Sequence, residues 1–146
     1  MRILTIDPGH TTGMAFHDFT SSDKPETLMP VGLGNAYNEF FSFIANNALD
    51  LVVCEKFTIT SATSKKSRGG SNEAIELIGV ARYMAWDHSV SFEEQSPADA
   101  KNFCSDEKLR RLGWYVSGLD HARDALRHLV LAGVRHKVLD PSTLIH

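Results

Sequence analysis

Cysteine is scarce in this chain. Its 146 residues include two, Cys54 and Cys104, with none of the short spacings of a zinc knuckle or a redox pair. Neither a disulfide framework nor a thiolate metal centre is therefore expected. Cys54 sits in an apolar run and reads as a buried thiol, which fits a reducing compartment, the cytoplasm. Long apolar runs are missing as well; nothing approaches the roughly 18 residues of a membrane-spanning helix. The N-terminus enters a strand directly, without the basic–apolar–small order of a leader, so no signal peptide is expected. No repeat, linker or low-complexity stretch divides the chain, and residues 1–146 read as one domain. No Ser or Cys nucleophile constellation stands out, which is no objection to a metal-dependent hydrolysis that needs no protein nucleophile.

What is present is a domain-sized apolar fraction, 42%, and an uneven distribution of charge. The net charge of −3 argues weakly against nucleic acid as a partner, but position matters more than the sum. Residues 16–55 carry Asp18, Asp23, Glu26, Glu39, Asp50 and Glu55 against Lys24 alone. Residues 56–70 reverse this, with Lys56, Lys65, Lys66 and Arg68 and no acid. Lys101, Lys108, Arg110, Arg111, Arg123, Arg127, Arg135 and Lys137 follow. These cations are either solvated faces or a phosphate-binding surface around an acidic centre.

Periodicity and breakers outline the elements. Arg2 to Ile6 reads as a buried strand ended by Pro8-Gly9, and Thr12 to Phe16 as a strand pairing back on it. Leu28 to Leu33 reads as a weak edge strand, because it holds Pro30 and Gly32. Asn38 to Ala48 has helical spacing. Asp50 to Cys54 is a continuous apolar run, as in a strand covered on both faces. Thr58 to Ser71 has no periodicity and reads as a mobile loop. Ser71 then caps a helix reaching Trp86, and Val90 to Phe92 is a fifth strand. Ser96-Pro97 opens a helix from Ala98 to Phe103. Asp106 to Tyr115 is amphipathic but interrupted by Gly113, and its state stays open. Asp120 to His136 is the last helix, with Asp120 as its N-cap. The order βββαβαβα implies one α/β domain with a mixed five-stranded sheet flanked by helices.

Three acids stand at telling places. Asp7 closes Ile3-Leu4-Thr5-Ile6, and Glu55 closes Leu51-Val52-Val53-Cys54. Asp124 lies in the last helix, three residues after His121. Taken singly, Asp7 is a turn former, Glu55 a strand-end charge and His121 a hydrogen-bonded histidine. Taken together, two strand ends and one helix can supply oxygen and nitrogen ligands to a hard divalent cation. On the helix, Ala122, Ala125, Leu126 and Leu129 share one arc facing the sheet, and His121 and Asp124 lie at its edge. His128, also near that edge, reads as structural. His10, His17, His88, His136 and His146 form no cluster.

Ile3-Leu4-Thr5-Ile6-Asp7-Pro8-Gly9 followed by Thr12-Gly13-Met14-Ala15-Phe16 resembles the opening of RuvC-type Holliday junction resolvases. Val52-Val53-Cys54-Glu55 resembles their second acidic site, and His121-Ala122-Arg123-Asp124-Ala125-Leu126 their last. The resemblance implies an RNase H-like fold and makes Asp7, Glu55, His121 and Asp124 both the catalytic and the metal-binding set. It implies two Mg²⁺ or Mn²⁺ ions per site, no small-molecule cofactor and no membrane. The short chain, and Ser96-Pro97-Ala98-Asp99-Ala100-Lys101 before a basic segment, look similar to phage-encoded members, hence a bacterial-cell setting. Lys101 is placed like a family lysine near the scissile phosphate. Phe57 stands two residues beyond Glu55, where family members often carry an aromatic wedge three residues beyond. It either stacks on a base at the branch point or packs in the core. The Asp-Pro-Gly-x-Thr-x-Gly element also resembles the phosphate loop of sugar kinases, actin and heat-shock ATPases. Those need two such domains, more than this chain provides.

The expected function is therefore metal-dependent, structure-selective cleavage of four-way (Holliday) or other branched DNA. Phe57, Lys65, Lys66, Arg68 and Lys101 are the expected DNA contacts. The competing expectations are an RNase H-like nuclease acting on RNA or RNA–DNA hybrids, and a non-catalytic branched-DNA binding protein. A homodimer is expected through the helix from Glu73 to Trp86, because its apolar residues wrap most of its circumference. The alternative is a helix sandwiched between the sheet and the Asp106 to Tyr115 segment.

Overall fold

The polypeptide was described by a computed structural model covering residues 1–58 and 70–145. Its strands are β1 (Arg2–Asp7), β2 (Gly13–Asp18), β3 (Glu26–Leu28), β4 (Leu51–Glu55) and β5 (Ser91–Gln95). Its helices are α1 (Leu33–Asn46), α2 (Gly70–Asp87), α3 (Pro97–Phe103), α4 (Asp106–Arg111) and α5 (Asp120–Arg135), followed by a 3₁₀ turn at Pro141–Leu144. The strands form one mixed sheet in the order β3-β2-β1-β4-β5. β1 pairs antiparallel with β2 and parallel with β4, and β4 pairs parallel with β5.

Each central strand alternates between two cores, as the pleat requires. Leu4, Ile6, Met14, Val52 and Cys54 face one side, against Phe40, Phe43 and Ile44 of α1 and Leu77, Ala81 and Ala85 of α2. Ile3, Ala15, Leu51 and Val53 face the other, against Ala125, Leu126, Leu129 and Ala132 of α5, with Leu109 and Cys104. A sheet covered on both faces explains why β1 and β4 read as continuous apolar runs. Burial raises the Cys54 thiol far above its ordinary value and pushes Cys104 up to about 11, so both behave as inert core groups.

Several boundaries differ from the sequence expectation. β3 ends at Leu28 instead of beginning there; Pro30 has no N–H to continue the ladder and only accepts, at 2.9 Å, from Thr12 N. α1 starts at Leu33, five residues before Asn38, because Gly32 (φ +86°) turns the chain into the helix. The weak helix formers Gly34 and Asn35 hid that first turn. β5 runs on to Gln95, since Glu93 and Glu94 are accommodated at the sheet edge by His136 and Arg82. The segment from Asp106 is helical to Arg111, and Gly113 (φ +70°) then reverses it. The cap of α5 is Leu119 and Asp120 is already helical, its carboxylate paired with Arg123. α2 begins at Gly70, so Ser71 lies inside it instead of capping it. The Ser96-Pro97 start behaves as the sequence implies: Ser96 Oγ accepts from Asp99 N at 3.1 Å and Pro97 occupies the first turn. The loop expected over 58–71 falls, apart from its ends, outside the described residues. Among the described residues, no helix is long and apolar enough to cross a membrane.

Candidate active site

The parallel register between β1 and β4 runs from Ile3↔Leu51 to Ile6↔Cys54. The next residue on each strand is acidic, so Asp7 and Glu55 emerge side by side. Both follow the parity of Thr5 and Val53, and therefore face α5. On β5, Gln95 pairs with Glu55 and completes a polar row at the same end of the sheet.

Helix α5 reaches this row because Gly13 lets it. Gly13 is the cross-strand partner of Asp7, and a Cβ there would lie 1.9 Å from the His121 carbonyl oxygen. The first turn of α5 thus rests on bare backbone. One turn further on, the buried Thr5 hydroxyl donates to the Ala125 carbonyl at 2.6 Å, which ties the helix to β1. His121 Nδ1 consequently lies 3.0 Å from Asp7 Oδ2. The Asp7 side chain is only 9% exposed, whereas that of His121 is 47% exposed. The carboxylate is thus enclosed and its imidazole neighbour faces solvent.

Asp7 is pushed up from 3.8 to about 6. Burial is the largest cause, followed by the charge of Glu55; His121 opposes the rise and Asp124 adds to it. Carboxylates gathered at a buried point without enough positive charge are the donor chemistry of a hard-cation site. A cation there would relieve the same repulsion that drives Asp7 toward its protonated form. The set is not preassembled, however: among the described residues, no three His, Cys, Asp or Glu side chains are close enough to hold an ion as they stand. Asp124 is the member held aside. One oxygen pairs with Arg127, which also pairs with Asp106, and the other lies 3.8 Å from Lys101 Nζ. Asp124 is therefore engaged by cations from two helices instead of facing Asp7.

Beside the carboxylates lies an open polar cleft lined by Lys101, Ser105, Asp120, Arg123, Asp124 and Arg127. Its cations come from α3 and α5, which are separate in sequence, and Arg123 lies over the Tyr115 ring, 5.3 Å from its centroid. A cleft of this composition, opening beside acidic groups, suits a phosphate.

No protein-family model matches the sequence, and no curated protein does. Solved structures match the fold. Thermus thermophilus RuvC in complex with Holliday junction substrate superposes with a TM-score of 0.68 at 13% identity, covering 94% of this chain and 97% of that one. A second Thermus thermophilus RuvC structure gives 0.65 at 14% identity, covering 94% and 98%. The fold is RuvC-like. It is the RNase H-like arrangement of a mixed sheet in the order 3-2-1-4-5 with helices on both faces.

On this RuvC-like frame, Asp7 and His121 come within hydrogen-bond distance, and Glu55 and Asp124 are near enough for their charges to act on Asp7. Lys101 stands beside Asp124 with its side chain 56% exposed. Phe57 is half-buried against the α1 and α2 core, so part of its ring is already packed. Lys65, Lys66 and Arg68 lie outside the described residues. Sequence reasoning passed over Gly13, Gln95 and Arg127 as parts of the site and set His128 aside as structural. His128 did leave a signal: it interrupts the apolar arc of Ala125, Leu129 and Ala132 on the face that meets the sheet.

Proposed function

We propose that this chain is a metal-dependent, structure-selective endonuclease that cleaves four-way and other branched DNA. The observation that carries the proposal is the buried Asp7 carboxylate, raised to about 6 amid Glu55, Asp124 and His121 at the ends of two parallel strands. The RuvC-like fold supports it, since one matching structure is of a RuvC bound to a Holliday junction. Asp7, Glu55, His121 and Asp124 would hold two Mg²⁺ or Mn²⁺ ions. Bound there, the ions would activate the attacking water and stabilise the leaving 3′ oxygen. The chain's own residues do the rest. Asp7 and Glu55 fix the ligand oxygens at the strand ends. His121 supplies a softer nitrogen donor, which favours tolerance of Mn²⁺. Lys101, Arg123 and Arg127 offer donors to the phosphates flanking the cut.

Substrate class is tested by comparing turnover on a synthetic four-way junction, a linear duplex and an RNA–DNA hybrid of matched sequence. Preference for the junction supports the proposal. Preference for the hybrid moves the assignment to an RNase H-like RNA nuclease. Binding of the junction without metal-dependent cleavage leaves a non-catalytic junction-binding protein.

The basic segment bearing Lys65, Lys66 and Arg68 is proposed to bind DNA. Replacing all three with Ala should weaken junction binding and flatten its salt dependence, by a slope of about 0.9 for each duplex phosphate no longer neutralised. Unchanged affinity and slope would remove the segment from the interface.

We also propose a homodimer through α2. The helix packs on α1, β4 and β5, whereas Leu109, Leu112, Trp114 and Tyr115 belong to the opposite core, so they do not sandwich it. Ile75, Tyr83 and Trp86 remain exposed, at 42%, 59% and 74%, and Tyr83 and Trp86 lie ring to ring at 6.0 Å. Two copies related by a two-fold axis would present two sites to the two equivalent strands of a junction. Sedimentation should give a dimer at micromolar concentration and a monomer for Tyr83→Glu/Trp86→Glu. A monomeric parent that still resolves junctions would remove the dimer.

A further inference from the structure

His128 lies about two helical turns beyond His121 on α5, and its side chain is 1% exposed. Its Nε2 is 2.8 Å from Glu55 Oε2, and its Nδ1 is 2.9 Å from Gln95 Oε1. Gln95, 2% exposed, is the cross-strand neighbour of Glu55 on β5. Three side chains from α5, β4 and β5 therefore form one hydrogen-bonded chain, Gln95–His128–Glu55, with the buried His128 joining two members of the polar row.

An imidazole is a costly choice at this position. Its neighbours on the helix face, Ala125, Leu129 and Ala132, are fully buried and apolar. An aliphatic residue would continue that packing without any polar group to satisfy. What the imidazole adds is direction. A carboxylate can only accept, so Nε2 must carry the proton that points at Glu55. Gln95 governs the other ring nitrogen. As placed, Gln95 Nε2 is buried with no partner among the described residues. Turning that amide end for end, which leaves its shape unchanged, gives this nitrogen to Nδ1 and lets a neutral His128 donate to Glu55.

We propose that His128, itself held by Gln95, is a positioning residue for Glu55. It fixes one carboxylate oxygen from behind and so aims the other at the candidate cation site beside Asp7. Side chains that hydrogen-bond a ligating carboxylate act on the metal through it, and their loss typically lowers affinity by about 10–100-fold. The proposal rests on the reading of Glu55 as a metal ligand.

The test is Mn²⁺ binding to the full chain without DNA, followed by calorimetry, with urea denaturation measured in parallel. His128→Leu, which keeps the volume but loses the donor, should weaken Mn²⁺ binding by about 10–100-fold. His128→Gln places an amide N–H near the position of Nε2 and should restore affinity to within a few-fold of the parent. Gln95→Leu should give a smaller loss of the same kind. A merely structural His128 would shift the urea midpoint in His128→Leu and leave Mn²⁺ affinity at the parental value; that result overturns the proposal. Should His128→Leu fail to fold, Gln95→Leu decides, and unaltered Mn²⁺ affinity there also overturns it. Asp7→Asn separates the two levels of inference. If the parent binds no Mn²⁺, or Asp7→Asn binds it equally well, the metal-site reading fails and this proposal falls with it. If Asp7→Asn loses Mn²⁺ while His128→Leu and Gln95→Leu keep it, only the positioning role is lost.

Discussion

Asp7→Asn is expected to abolish junction cleavage, leave junction binding intact or stronger, and make the metal-free protein more stable at pH 8. Loss of function with gain of stability follows from what surrounds the carboxylate. Asp7 is buried next to Glu55 and Asp124, and its charge is costly unless a cation is present. Asn keeps the shape and removes the charge. It also weakens the repulsion felt by an approaching phosphate, which is why binding should not suffer.

The same change has a pH signature of defined sign. The folded-state value for Asp7 is about 6, against an ordinary value of 3.8. Between these two values the native chain keeps a proton that the unfolded chain has released. Stability of the metal-free protein should therefore fall as pH rises from about 4 through about 6, and level off above that. The full contribution, roughly two pKa units at 1.36 kcal/mol each, is on the order of 3 kcal/mol. Urea denaturation from pH 4 to 8 in EDTA, parent against Asp7→Asn, reads it directly: the two curves should converge near pH 4 and separate above 6. Parallel curves at all pH values would mean that Asp7 is not a costly buried charge. Full cleavage by Asp7→Asn would exclude it from the metal set.

Gly13→Ala should have a large structural effect for a single added methyl group. The new Cβ would sit 1.9 Å from the His121 carbonyl oxygen and 2.2 Å from the His121 carbonyl carbon. Both atoms are backbone in the first turn of α5, so no side chain can rotate away. Either β2 or the helix start must move, and the movement would separate His121 from Asp7. Overpacking commonly costs about 1–3 kcal/mol, and a clash with backbone belongs at or above the upper end. We expect a lower urea midpoint and cleavage reduced to background even where the variant folds. Gly34→Ala is the matched control. Its Cβ meets nothing within 4 Å, and Ala is the better helix former, so stability should hold or rise slightly. Normal stability and activity in Gly13→Ala would contradict the close approach of α5 to β2.

Much of this arrangement was legible in the sequence. The apolar runs ending in Asp7 and Glu55 located two buried strands, because a strand covered on both faces reads as such a run. The spacing of Ala122, Ala125, Leu126 and Leu129 oriented α5 and set His121 and Asp124 at the edge of its buried face. Other features were hidden because their cause is tertiary. Gly13 read as a strand residue, since nothing local announces that a helix will lie on it. Glu93 and Glu94 masked the end of β5, since their partners His136 and Arg82 come from distant segments. Arg127 read only as one of the later cations; the fold brings Asp106 close enough to share it with Asp124. His128 was read as structural because a lone buried histidine usually is; its meeting with Glu55 and Gln95 depends on two strands that the sequence alone does not place beneath it.

One measurement bears most directly on a metal-dependent nuclease centred on Asp7. A labelled synthetic four-way junction is incubated with the parent protein in EDTA, in Mg²⁺ and in Mn²⁺, and the strands are resolved on a denaturing gel. The expected result is no cleavage in EDTA and incision near the branch point with either ion, at least as efficient in Mn²⁺ as in Mg²⁺. An intact junction under all three conditions, or equal cleavage in EDTA, would contradict it.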